Sequence, residues 1–95
     1  MIAIRKKLIV TATYQGLHRV MCPHVIGYKN STKLNALFFQ FAGDAKKGLP
    51  LEGQWRCCRV SELSNVEIGP GEWHTGPEDT RPYNCVDVII AEVGY

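Results

Sequence analysis

The sequence predicts a mainly β chain, folded as a small barrel or a strongly bent sheet. Runs rich in β-branched and aromatic residues recur from Leu8 to Val93, and turns containing Gly, Pro or Asn separate them. Internal repeats, coiled-coil heptads and low-complexity tracts are absent from the sequence. A length of 95 residues corresponds to one domain, residues 1–95, with a single compact core.

The elements follow in order. Residues 2–7 suit one short N-terminal helical turn or the start of a strand, with Ile2 and Leu8 offered to a core. Residues 8–14 read as a strand, Gln15-Gly16-Leu17 as a turn, and residues 18–22 as the returning strand of a hairpin. Pro23 cannot donate to a ladder and marks an edge, a bend or a strand break. His24 to Tyr28 continues extended, with Gly27 permitting a bulge. After the polar turn Lys29–Thr32, the apolar run through Leu37-Phe38-Phe39-Gln40-Phe41 suits a central strand covered on both faces. Gly43 to Gln54 is a loop, and Trp55 to Val60 alternates as a strand should. Ser61-Glu62-Leu63 suits a tight turn and Val66-Glu67-Ile68 another strand. Residues 69–83 form a long Gly/Pro-rich segment, either an ordered meander or a lid. Residues 86–93 close the chain as a strand.

Composition is that of an ordinary globular protein, 45% hydrophobic and 21% charged. No apolar run approaches the roughly 20 residues that span a bilayer. The N-terminal charges follow the short apolar stretch, the wrong order for a signal peptide, so a cytoplasmic location is expected. Cys57 and Cys58 are neighbours that point to opposite faces of a strand, and Cys22 and Cys85 are distant in sequence. That spacing predicts four reduced cysteines that bind no metal. Cys22, His24, Cys57, Cys58, His74 and Cys85 hold enough ligand atoms for zinc but lack its usual pair spacing.

Net charge is +2, distributed unevenly. Residues 1–47 carry +7 and residues 48–95 carry −5. Such asymmetry suits an anion-facing surface, and equally two halves that attract one another once folded.

Arginine pairs with phosphate through a planar fork of donors. Arg19, Arg59 and Arg56 are the candidates. Arg56 and Arg59 are three apart and face opposite sides of a regular strand, so Arg19 with Arg59 is the expected pair, with Arg56 third. The competing reading pairs Arg19 and Arg59 with Glu62 or Glu67. Tyr14, Tyr28, Phe39 and Trp55 can stack on a base or fill a core, and Tyr28 and Trp55 flank loops. Gln40, polar within an apolar run, needs a partner if buried, and can brace the Gly43 loop or read a ligand edge. The sequence contains no nucleophile elbow, phosphate loop or paired-carboxylate motif, so no catalytic activity and no cofactor are expected.

Tyr14-Gln15-Gly16, Arg19, Pro23, Gln40, Gly43, Trp55-Arg56 and Arg59-Val60 together resemble the short, stand-alone members of the WYL-domain family. Arg56 to Leu63 is similar to that family's paired-arginine strand and turn, with Cys58 where Phe is usual and Ser61 where Asp is usual. The name-giving triplet is absent; that region reads Leu37-Phe38-Phe39-Gln40. The resemblance implies an SH3-like or Sm-like barrel. It also implies a bacterial regulatory or defence role in sensing single-stranded nucleic acid, a nucleotide or another anionic effector. With no helix-turn-helix in the sequence, regulation of DNA would need a separate partner protein. The runner-up role is protein interaction or homodimer formation without a ligand.

Overall fold

The computed structural model describes residues 2–45, 48–50 and 52–93. Lys46 and Lys47, counted above in the basic half, lie outside the described residues. The chain forms a short helix α1 (Ile2–Arg5), then β1 (Ile9–Tyr14), β2 (Leu17–Lys29), β3 (Lys33–Gly43) and β4 (Gln54–Arg59). A 3₁₀ turn (Val60–Glu62), β5 (Ser64–Gly69), a second 3₁₀ turn (Glu78–Thr80) and β6 (Val88–Glu92) complete it. The strands form one antiparallel sheet in the order β4-β3-β2-β1-β5, with β6 also on β2. It does not close. β4 and β5 end the path, and no pairing joins them among the described residues, so the expected barrel is replaced by a bent, open sheet.

The hairpin lies where the sequence places it, but its turn is tighter. Tyr14 pairs with Leu17, leaving Gln15 (φ 54°) and Gly16 (φ 76°) as a two-residue turn. Positive φ at both positions matches the right-handed twist of the flanking strands.

β2 does not break at Pro23, which pairs with Phe38 of β3. One edge of β2 carries β1 up to Met21 and β6 from Val25 onward. Pro23 falls in the gap between them, where a residue without an N–H is tolerated. The register then slips between Pro23 and Val25, so that His24 is bulged; a second slip lies between Val20 and Met21. Bulges bend a strand and increase its twist. Here the His24 bulge lies between the parts of β2 that enter the two cores, Met21 in one and Val25 in the other.

One cluster contains Val10, Ala12, Met21, Ala36, Phe38 and Cys58, covered by Ala3 of α1 and by Val60 and Leu63 beyond β4. The other contains Val25, Leu37 and Cys85, with Trp55 and Val86 against it. Ala36 to Gln40 are buried without interruption, as expected of a central strand covered on both faces.

The long segment after β5 is an ordered strap. The Asn35 Nδ2 group donates to the Cys85 carbonyl at 2.9 Å, and Arg81 forms ion pairs with Glu78 and Glu92. Cys57 of β4 is disulfide-bonded to Cys85, with Cα atoms 5.7 Å apart. The expectation of four reduced cysteines is therefore corrected: only Cys22 and Cys58 are free, and both are buried. A separation of 28 residues conceals the pairing, because only the return of the strap across β4 brings the two together. No helix among the described residues is long and apolar enough to cross a membrane.

Candidate functional site

Three adjacent strands present Arg19, Gln40 and Arg56 on one pleat. Met21 is opposite Gln40 and Phe38 is opposite Arg56. Residues two apart share a face, so Arg19 joins Met21 and Gln40 joins Phe38 and Arg56. Gln40 is completely buried and Arg19 is 2% exposed. The Gln40 Nε2 group donates to the carbonyls of Ala42 (3.0 Å) and Asp44 (2.8 Å). Those two bonds fix the amide, so its oxygen points at the arginines. Oε1 accepts from Arg19 Nη1 at 3.1 Å and from Arg56 Nε at 3.0 Å. Arg19 Nε donates to the Tyr14 carbonyl at 3.3 Å, and the guanidinium sits 5.4 Å from the centre of the Tyr14 ring.

Two cations thus share one neutral acceptor. Among the described residues neither is ion-paired: the acids in ion pairs are Asp87, Glu62, Glu78 and Glu92, with Lys29, Arg59 and Arg81 as partners. Burial, and then the charge of Arg19, pull the Arg56 guanidinium below its ordinary pKa. The nearby Cys58 thiol does not supply the missing negative charge. Burial pushes it up to about 11, against the pull of Arg19 and Arg56, so it is neutral near pH 7. The Tyr14 hydroxyl is raised too, first by burial and then by Cys58 and Glu62.

The other predicted site residues are elsewhere. Arg59 is on the opposite pleat from Arg56, half exposed, with Nε 3.7 Å from Glu62. Tyr28 is 41% exposed and pairs with Val88 of β6, near the far end of β2. Trp55 follows the opposite pleat from Arg56 and stands under the strap. Its ring meets His24 at 4.8 Å and Phe39 at 5.3 Å, both edge to face. The structure therefore brings together Arg19, Gln40 and Arg56, but not Arg19 with Arg59, and the aromatic beside them is Tyr14. Tyr14 is among the aromatics the sequence offers for stacking, and the two-residue turn places it at the end of β1, beside the start of β2.

Opposite this site, His24 is fully buried between the sheet and the strap. Its Nε2 accepts the Gly76 N–H at 3.1 Å, and its Nδ1 lies 2.9 Å from the Cys22 carbonyl. The acceptor role of Nε2 places the proton of a neutral ring on Nδ1. Burial lowers its pKa, reinforced by Arg81 and Lys7 and opposed by the Cys22 contact. Trp73 stacks on it at 5.2 Å, and the His74 N–H reaches Cys22 Sγ at 3.3 Å. Among the described residues no group of three or more His, Cys, Asp or Glu is arranged to hold a metal.

Comparison with family models, with curated proteins and with solved structures found no match to this chain.

Proposed function

We propose that the chain is a non-enzymatic binding module for an anionic ligand, either single-stranded nucleic acid, a nucleotide or another phosphate-bearing effector. The ligand is held at Arg19, Gln40 and Arg56. The observation that carries this reading is the convergence of two guanidinium groups on one amide oxygen, with no carboxylate ion-paired to either among the described residues. A buried charge without a counter-charge costs several kcal/mol. A phosphate oxygen at this site would offset that cost and accept charge-assisted hydrogen bonds from the Nη groups of Arg56. Gln40 acts as a brace that holds both cations in place. The resemblance to the WYL-domain family supports the same ligand class, and we read the bent sheet as a partly open, SH3-like arrangement. A cytoplasmic setting is part of this proposal, and it requires Cys57 and Cys85 to be mostly thiols in the cell.

Fluorescence anisotropy with a labelled single-stranded oligonucleotide, with ATP and inorganic phosphate as competitors, tests the proposal. Arg56→Ala should weaken binding roughly 10-fold or more, the loss of one charge-assisted contact, and make its salt dependence shallower. Arg59→Ala serves as the control and should bind as the parent does. Equal binding by the Arg56→Ala protein, or retention that ignores salt, overturns the assignment. The second reading, an interaction module without a ligand, is favoured by β6, where Val88, Ile89 and Ile90 are 58%, 52% and 40% exposed. A salt-insensitive dimer in sedimentation, with no oligonucleotide binding, would favour it.

A further inference from the structure

The strap meets Trp55 in a particular way. Pro77 has φ −65° and ψ 132°, the extended backbone of a polyproline II segment. Its carbonyl accepts a hydrogen bond from Trp55 Nε1 at 3.1 Å. The preceding residue, Gly76, lies directly against the indole. A Cβ there would stand 2.3 Å from Cζ2 of the ring, so a side chain at this position cannot make the same approach. A short extended segment is therefore held by a tryptophan N–H to a carbonyl and by the packing of its backbone on the ring. Aromatic-lined grooves take proline-containing peptides in the same physical way, because the polyproline II backbone is already ordered and its carbonyls stand outward.

The groove continues past the segment. A hollow of about 390 Å³ beside Trp55 is lined by Phe39, Pro50, Gln54, Pro77 and Pro82, with Glu52 as its one carboxylate. Phe39, Trp55 and three prolines supply its rings, and Glu52 is its one charged residue among the described residues. Gly76-Pro77 occupies one end and leaves the remainder open.

We propose that the Trp55 groove is a docking site for an extended, proline-containing peptide segment of a partner protein, preferably with a lysine or arginine facing Glu52. In this structure the chain's own Gly76-Pro77 occupies the site as a tethered substitute. The tether makes the internal segment a strong competitor, because its effective concentration is that of an intramolecular contact. The Cys57–Cys85 disulfide tightens that tether by fixing the strap to β4, two residues from Trp55. Trp55 and Arg56 use opposite pleats, so this site does not depend on the anion-binding reading above.

The test uses the full chain and a synthetic peptide of consecutive prolines ending in arginine, followed by the Trp55 indole N–H resonance and by calorimetry. Dithiothreitol delivers two electrons and two protons to the disulfide, leaving Cys57 and Cys85 as thiols and itself as a cyclic disulfide. The reduced chain should bind the peptide at least 10-fold more tightly than the oxidised chain, with movement of the indole resonance. Gly76→Ala should produce the same gain with the disulfide intact, since its Cβ expels the strap from the ring. Glu52→Gln should reduce binding of the arginine-ended peptide and leave that of an all-proline peptide unchanged. If reduction or Gly76→Ala unfolds the chain, the oxidised parent at millimolar peptide provides the remaining reading, because a tethered competitor yields to excess ligand. An indole resonance that never responds to peptide, in any of these forms, overturns the proposal.

Discussion

Trp55 and Arg56 are consecutive residues of β4, yet their surroundings differ in kind. On the Trp55 side each polar contact closes within the chain: the indole N–H on Pro77, the two nitrogens of His24 on Gly76 and Cys22. On the Arg56 side charge exceeds its partners, with two guanidiniums sharing one amide oxygen. The first arrangement holds the strap against the sheet. The second is held in place by Gln40 while retaining unused donors, the electrostatic condition of a binding site. The difference teaches that burial alone does not separate polar groups whose charge is balanced from those whose charge is not. His24 and Gln40 are equally buried; what distinguishes them is whether the charge around them balances.

The largest expected effect comes from removing the brace. Gln40→Leu would leave two guanidiniums without their shared acceptor and the Ala42 and Asp44 carbonyls without their donor. A loss of about 3–5 kcal/mol is expected in denaturant unfolding. A near-neutral result would mean that the arginines find other partners, and the contrast between the faces would collapse.

The next effect sharpens the strap side. His24 must be neutral to accept the Gly76 N–H, and its folded pKa is lowered from the ordinary 6.5. A lowered histidine pKa means that the unfolded chain binds the extra proton first. The stabilising effect is complete above the unfolded pKa and is lost as pH falls below it toward the folded value, at up to about 1.4 kcal/mol per pH unit. Melting temperature should therefore fall as pH drops below roughly 6.5. His24→Gln, which keeps an acceptor near the Nε2 position, should flatten that slope. An unchanged slope would show that His24 does not carry the pH dependence.

The smallest effect concerns the arginine that both environments exclude. Arg59 and Glu62 are each nearly half exposed. Arg59→Ala should change stability by less than about 1 kcal/mol. A larger loss would show that this pair anchors the 3₁₀ turn after β4.

Much of the fold was legible because local patterns encode it. The residue types of 8–14 and 18–22 define the hairpin, and the strongly apolar run through Leu37-Phe38-Phe39-Gln40-Phe41 marks the strand buried on both faces. The openness of the sheet was not legible, since closure depends on where β4 and β5 end in space and no residue signals that. The site was read in part. Arg19, Gln40 and Arg56 were all candidates, and the alternation of a strand correctly separates Arg56 from Arg59. What the sequence could not show was which of those two shares a pleat with Arg19. That choice depends on the ladder register between β3 and β4 and on the slip between Val20 and Met21. The disulfide was hidden for a related reason: it joins elements brought together by a strap with no periodic pattern of its own.

The Cys57–Cys85 bond also has a mechanical meaning. It closes residues 57–85 into a covalent ring that contains both 3₁₀ turns and the whole of β5. Tension applied at the two ends of the chain passes from β4 through the bond to the strand that closes the sequence, and the backbone inside the ring carries none of it. Pulled to full extension, the oxidised chain would be roughly 90 Å shorter than the reduced one. β5 would then separate from β1 only because its neighbours had left, not because it was itself stretched.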